Sequence, residues 1–147
     1  MSPDQPHSCP FCDLIHGAGE VSMCFEDTDV VAFMDIQPVN PGHVLVVPVR
    51  HATHLADMDA ASAARLMAVA HRVAAALRAS GVRCEGVNLF LADGEAAMQE
   101  VPHAHLHVFP RWRGDGFGLR FGPEYKHKPP REALETTAAR LRAALGA

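Results

Sequence analysis

Apolar and polar positions along the chain change period several times, and each change marks an element. Cys24-Phe25-Glu26, then the polar Asp27-Thr28-Asp29, then Val30-Val31-Ala32-Phe33 read as strand, turn and strand, the opening hairpin of a sheet. Pro38 to Gly42 holds two prolines and reads as a loop. His43 to Pro48 contains the β-favouring run Val44-Leu45-Val46-Val47 and closes on Pro48. From about Asp59 to Ser80 the chain is rich in Ala, Leu, Met and Arg, all good helix formers. Leu66, Val69, Val73 and Leu77 recur there at spacings of three and four, which makes one apolar stripe, and Gly81 is placed to end the helix. Val87 to Leu91 reads as a strand, Asp93-Gly94-Glu95 as a turn and Val101 to Arg111 as a last strand. Residues 113–130 are rich in Gly and Pro and read as an irregular segment. Residues 131–145 predict a C-terminal helix with Leu134, Ala138, Leu141 and Leu145 on one face. The order of hairpin, strand, helix, two strands and helix predicts a single α+β domain over 1–147 with an antiparallel sheet, its first residues 1–8 forming a flexible N-terminus.

The chain of 147 residues is long enough to bury a core of its own. Its formal net charge is -4, and Arg111-Trp112-Arg113 is too short to make a basic patch, which argues against a general nucleic-acid binder. No apolar run approaches the roughly 20 residues that span a bilayer. Met1 to Ser8 holds no signal-peptide core, so the expected location is the cytoplasm, with no membrane partner. Cys9 and Cys12 form a Cys-x-x-Cys pair, while Cys24 and Cys84 stand alone. In a reducing compartment that pattern points to metal or redox chemistry rather than disulfides.

The densest chemistry is His103-Ala104-His105-Leu106-His107-Val108-Phe109. In a strand the three histidines share one face, about 6.6 Å apart, and Ala104, Leu106 and Val108 share the other. The apolar face can pack on a core. The histidine face must then meet solvent, a metal or a substrate, because unpaired imidazoles are costly to bury. A His-rich edge strand without a role and a metal site made by these histidines alone are the plainer readings.

His-φ-His-φ-His-φ-φ, with φ apolar, resembles the signature of the histidine triad (HIT) family. Two upstream stretches extend the likeness in the family's order. Ala32-Phe33-Met34-Asp35-Ile36-Gln37-Pro38 is similar to its "AFxDIxP", and Pro41-Gly42-His43-Val44-Leu45-Val46-Val47-Pro48-Val49-Arg50-His51 to its "PxHxLVxPxxH". The matches run from about Cys9 to Arg111.

The resemblance implies an α+β HIT-like fold: a five-stranded antiparallel half-barrel sheet with one long helix and a C-terminal helix, usually as a homodimer. It implies a nucleotide hydrolase or transferase in which His105 attacks the α-phosphate and forms a covalent nucleotidyl-histidine. Nucleoside phosphoramidates, dinucleoside polyphosphates and adenylylated compounds, purine nucleotides above all, are the implied substrates. His107 would contact the phosphate and assist the leaving group, and Gln99 would contact the phosphate or leaving group. Asp35 would hydrogen-bond ribose hydroxyls, while Phe11, Leu14, Phe33 and Ile36 would line the base pocket. Read as residues alone, the four apolar ones are equally well core, and a turn residue is the plainer alternative for Asp35. His43 reads as structural.

A lone Cys-x-x-Cys suits redox chemistry, zinc or coincidence. A subset of the family completes it with two histidines, which implies a structural Zn²⁺ held by Cys9, Cys12, His51 and His103. His54 is the nearest rival to His51, and His7 and His16 lie near the cysteines. Ala92, Met98 and Glu100 depart from the family's best-known branch, which carries Asn, Gly and Ser or Thr there. Two further functions compete with the enzyme: a nucleotide-binding regulatory module with vestigial catalysis, and a metal-handling protein built on the histidines.

Overall fold

Met23–Glu26 (β1), Val30–Met34 (β2), Val44–Pro48 (β3), Gly86–Phe90 (β4) and Leu106–Arg111 (β5) form one open antiparallel sheet, ordered β1-β2-β3-β5-β4. The structure is a computed structural model that describes residues 9–146, so the expectation for residues 1–8 lies outside the described residues. The chain divides into two compact units, one ending at Gly116 and one starting at Phe117.

β2 and β3 are buried along nearly their whole length because both faces of the sheet are covered. On one face Val30, Ala32, Val44, Val46, Leu106 and Val108 pack under the long helix Ala60–Ala79 (α2). That helix presents Leu66, Val69, Val73 and Leu77, the stripe expected from its spacing, and all four are buried. Each such side chain contributes on the order of 1.5–3 kcal/mol. Asp59 caps α2 through its carboxylate, which accepts from the Ser62 N–H at 2.7 Å. On the opposite face Val31, Phe33, Leu45 and Val47 pack with Cys9 and Phe11. Phe11 belongs to a short helix, Pro10–Ile15 (α1), that starts with proline at its first position.

The last strand is shorter than its sequence suggests. It begins at Leu106, not Val101. The Val101 carbonyl accepts from the His103 N–H at 2.8 Å, a bend within three residues, and the Ala104 N–H donates to Ala52 at 2.7 Å instead of to a neighbouring strand. His103 and His105 therefore precede the ladder, and only His107 lies within it.

In the second unit Pro123–Lys126 makes a single 3₁₀ turn, with the Phe121 and Tyr125 rings stacked at 3.8 Å. The C-terminal helix Arg131–Leu145 (α3) ends at Gly146, whose φ is +72°. Leu134, Leu141 and Leu145 of its apolar stripe are exposed.

Gly42 makes the turn into β3 at φ +103°. A Cβ there would stand 2.9 Å from Val82 Cγ1 and 3.2 Å from Leu77 Cδ2 and Pro110 Cγ. Gly81 has a similar φ of +83° with nothing within 4 Å. Gly81→Ala is expected to cost about 1 kcal/mol from backbone strain alone, and Gly42→Ala about 2 to 4 kcal/mol because the clash adds. Equal losses of stability in urea unfolding would show that packing at Gly42 is unimportant.

Candidate functional site

The sheet register assembles the site. Phe33 pairs with Leu45, Leu45 with His107, and His107 with Phe90, so these four form a row across the face opposite α2. The next row begins where the Asp35 N–H donates to the His43 carbonyl at 2.9 Å. His43, two residues before Leu45, points to the same face, and its ring lies 5.1 Å from His107 and 4.9 Å from Phe109. Although His103 and His105 precede the ladder, alternation persists: Leu106 packs under α2, while Phe11 meets the rings of His103 at 5.9 Å and His105 at 5.0 Å. The histidine face is covered: His103 is 0 % and His105 6 % exposed.

Hydrogen bonds fix where each imidazole carries its proton. His105 Nδ1 lies 2.7 Å from the His103 carbonyl, which only accepts, so Nδ1 carries the hydrogen and Nε2 keeps its lone pair. His103 Nε2 donates to the Pro48 carbonyl at 2.8 Å, which leaves its Nδ1 as a free donor atom for a metal. His43 Nδ1 accepts from the Val39 N–H at 3.0 Å, so its proton sits on Nε2, 2.8 Å from His107 Nδ1. His107 Nδ1 accepts that proton and the ring carries its own on Nε2.

Burial keeps these rings neutral. It lowers His43, His103 and His105 below the ordinary histidine value. His107 is pushed down to about 4, first by burial and then by the neighbouring His105 and His43, against the pull of Asp35.

Asp35 serves two purposes. One carboxylate oxygen accepts from the Gln37 N–H at 2.8 Å and shapes the turn. The other lies 3.5 Å from His43 Nε2 and 4.0 Å from His107 Nδ1. These three donors are close enough to suggest a metal, but the His43 proton stands inside the cluster, so a hydrogen bond holds it together.

Cys9, Cys12, His51 and His103 make a different cluster. Cys9 Sγ to His103 Nδ1 is 3.3 Å, Cys12 Sγ to His51 Nδ1 is 3.4 Å, Cys12 Sγ to His103 Nδ1 is 3.6 Å, and the two Nδ1 atoms are 3.2 Å apart. A tetrahedral zinc with Zn–N of about 2.05 Å and Zn–S of about 2.3 Å has edges of roughly 3.3 to 3.6 Å between such atoms. The donor set fits. Both histidines also have an outer partner, Pro48 for His103 and the Thr53 hydroxyl, at 3.4 Å, for His51. The Cys12 thiol is pushed up to about 11 by burial and then by Cys9, a state that a divalent cation would reverse by taking the thiolate. His54 pairs with Asp57 and His16 ends α1, so neither joins the cluster, and His7 lies outside the described residues.

The other expected site residues are placed less simply. Phe11 and Phe33 are buried and meet edge to face at 5.4 Å, and Leu14 packs on the same cluster. Ile36 is 94 % exposed. Gln99 spends its amide on the backbone: its Nε2 donates to the carbonyls of Thr53 at 2.7 Å and Val101 at 3.1 Å, and its Oε1 accepts from Gly94 at 2.8 Å. His43, read from the sequence as structural, is hydrogen-bonded to the last histidine of the triad. Its parity with Leu45 and Val47 places it on the histidine face, a signal available from the alternation alone. A cleft of about 330 Å³ at the start of α2, lined by Asp29, Asp59, Ser62 and Arg65 among others, contains none of these histidines.

Comparison with known proteins agrees with this geometry. The HIT domain family matches residues 19–114. An uncharacterized HIT-like protein of Mycobacterium tuberculosis is 37% identical over 125 residues, covering 85% of this chain and 86% of its own. A Zn-bound histidine triad family protein from Mycobacterium smegmatis superposes with a TM-score of 0.73 at 37% identity, over 93% of this chain and 97% of that one. A histidine triad nucleotide-binding protein from Candida albicans superposes with a TM-score of 0.82 at 25% identity, over 95% of this chain and 98% of that one.

The donor geometry makes a direct prediction. The metal-free protein titrated with Co²⁺ should take up one ion per chain and develop the absorption of a tetrahedral thiolate site, and Cys12→Ser should abolish the thiolate band or weaken binding by more than tenfold. An octahedral spectrum, or uptake unaffected by the substitution, would rule out this cluster as the metal site.

Proposed function

The chain belongs to the histidine triad family, and from that premise we propose that it is a nucleotide hydrolase or nucleotidyltransferase working through His105. The observation that carries the reading is the His105 tautomer. Its Nδ1–H is held by the His103 carbonyl, so a neutral ring offers the Nε2 lone pair as nucleophile.

Nε2 attacks the α-phosphorus of a purine nucleotide derivative, and the bond from phosphorus to the leaving group breaks. The leaving group takes a proton, which we assign to His107, whose ring carries one on Nε2. Water or another acceptor then attacks the nucleotidyl-His105 and gives its proton back to His107 Nε2, which frees the nucleotide and restores both rings. The net hydrolysis consumes one water and yields a nucleoside monophosphate and the protonated leaving group. Substrates of this class are phosphoramidates, dinucleoside polyphosphates and adenylylated compounds. His43 is a positioning residue that keeps the His107 proton on Nε2.

Asp35 is assigned to the ribose hydroxyls, with Phe11, Phe33 and Leu14 as the floor of the base pocket and Ile36 as its exposed lip. Gln99 shapes the leaving-group side by bracing the loop from Gly94 to Val101, since both its amide hydrogens are already used. Cys9, Cys12, His51 and His103 are assigned a structural Zn²⁺, which would tie the segment carrying His105, through His103, to the start of α1 and the end of β3 and would take no part in the bond changes. The edge strand β4 and α2 expose Leu89, Phe90 and Met67, the surface we assign to a homodimer contact. No helix of the described residues is long and apolar enough to cross a membrane. A cytoplasmic location is consistent with four free cysteines.

Adenosine phosphoramidate and diadenosine tetraphosphate test the reading. The wild type should release AMP and show an AMP adduct by intact mass, and His105→Ala should lose both, with turnover down at least a thousandfold. Nucleotide binding without adduct or turnover in the wild type would contradict the assignment.

A further inference from the structure

The second unit has a surface with nothing of its own to cover it. From Phe117 to Gly146 every residue but the half-buried Ala138 is exposed. α3 buries none of its residues, yet it carries Leu134, Leu141 and Leu145 in one stripe. A helix of this length is marginal in water by itself and depends on burying such a stripe. Leu119 and the stacked rings of Phe121 and Tyr125 add to the exposed apolar area ahead of it. Cations are interleaved with these residues. From Phe117 onward the chain holds six Lys and Arg against three Glu, whereas the part before it holds seven against fourteen Asp and Glu.

A surface of matching character lies in the first unit. β4 is an edge strand, and its exposed Phe90 pairs with His107 in the register, the two rings 5.8 Å apart. The loop that follows carries Met98, exposed and held at φ +68°, a backbone that side chains rarely adopt. Strain kept at an exposed, adaptable thioether suits a contact surface. No Lys or Arg lies between Arg83 and Arg111, while Glu85, Asp93, Glu95 and Glu100 do, all exposed. This stretch is thus apolar and acidic where the second unit is apolar and basic.

We propose that the segment from Phe117 onward is an arm that docks on a second copy of this chain, over β4 and the 93–100 loop, and so closes the edge of the partner's site beside His107. Both surfaces are exposed in a single chain, and their charges are opposite, which favours the pairing of one with the other. Reciprocal exchange buries each surface twice and closes the assembly at two copies. The arm also starts from a fixed point. Asp115 accepts from Asn40 at 2.8 Å and from Arg111 Nη2 at 2.9 Å, just beyond the end of β5, the strand that carries His107. The proposal rests on the homodimer reading and adds what the partner contributes to the site.

Photo-crosslinking of the full chain tests this, with a benzoylphenylalanine in place of the exposed Tyr125. Irradiation should give a covalent dimer on a denaturing gel. Trypsin cuts after Arg83 and Arg111 and releases 84–111 as one peptide, to which the adduct in the dimer band should map. Adducts confined to the monomer band would place the arm on its own chain, and a dimer adduct on any other peptide would place it on another surface. Either result, or no adduct in a sample shown by sedimentation to be dimeric, would overturn the proposal. Sedimentation of the variant carrying both Leu134→Asp and Leu141→Asp gives a second measurement. These side chains are exposed in the single chain, so the core of the first unit is untouched. The dimer dissociation constant should rise by about a hundredfold or more. Unchanged dimerisation would overturn the proposal and leave the homodimer reading intact, and a wild type that stays monomeric at every concentration would overturn both.

Discussion

The site depends on His103 being fastened at both ends of its ring and at its backbone. Its Nε2 donates to the Pro48 carbonyl at the end of β3, and its Nδ1 faces two sulfurs and the His51 nitrogen. Its own carbonyl then holds the His105 Nδ1 proton. Moving that carbonyl releases the His105 ring and with it the orientation of the nucleophilic nitrogen. The proposed cation at the cysteine–histidine cluster would thus serve to place a carbonyl. The absence of regular strand at His103 and His105 follows from the same constraint, because their backbone serves bends and cross-links rather than a ladder.

Burial determines the electrostatics. Four histidines lie together on the face opposite α2, and their ordinary values near 6.5 would leave some of them charged. Desolvation lowers all four, and each ring's proton is instead placed by a neighbour. That arrangement leaves His105 with a bare Nε2 and His107 with an Nε2–H, as the proposed nucleophile and proton donor require. The two carboxylates near His105, Asp35 and Glu100, act in the opposite direction without overcoming burial.

Much of this was legible from periodicity. The stripe of Leu66, Val69, Val73 and Leu77 placed α2, and the apolar runs in β2 and β3 marked strands. The alternation at His103 to Val108 assigned the faces correctly even where no ladder forms. Other features depend on distant partners that spacing does not reveal. α1 is too short for a period, and only Pro10 hints at it. The bend at Val101 depends on a bond from Ala104 to Ala52, and the use of the Gln99 amide depends on Thr53. The structural reading of His43 did not extend to its bond with His107, which spans 64 residues.

Nitrogen-detected NMR of the imidazole rings at neutral pH reads the proton placement on the histidines directly. His105 should be protonated on Nδ1 with a bare Nε2, and His103 and His107 on Nε2. The His107 pattern should persist as the pH falls through the ordinary histidine range towards about 4. A His105 ring protonated on Nε2, or a His107 ring charged near pH 6.5, would contradict it.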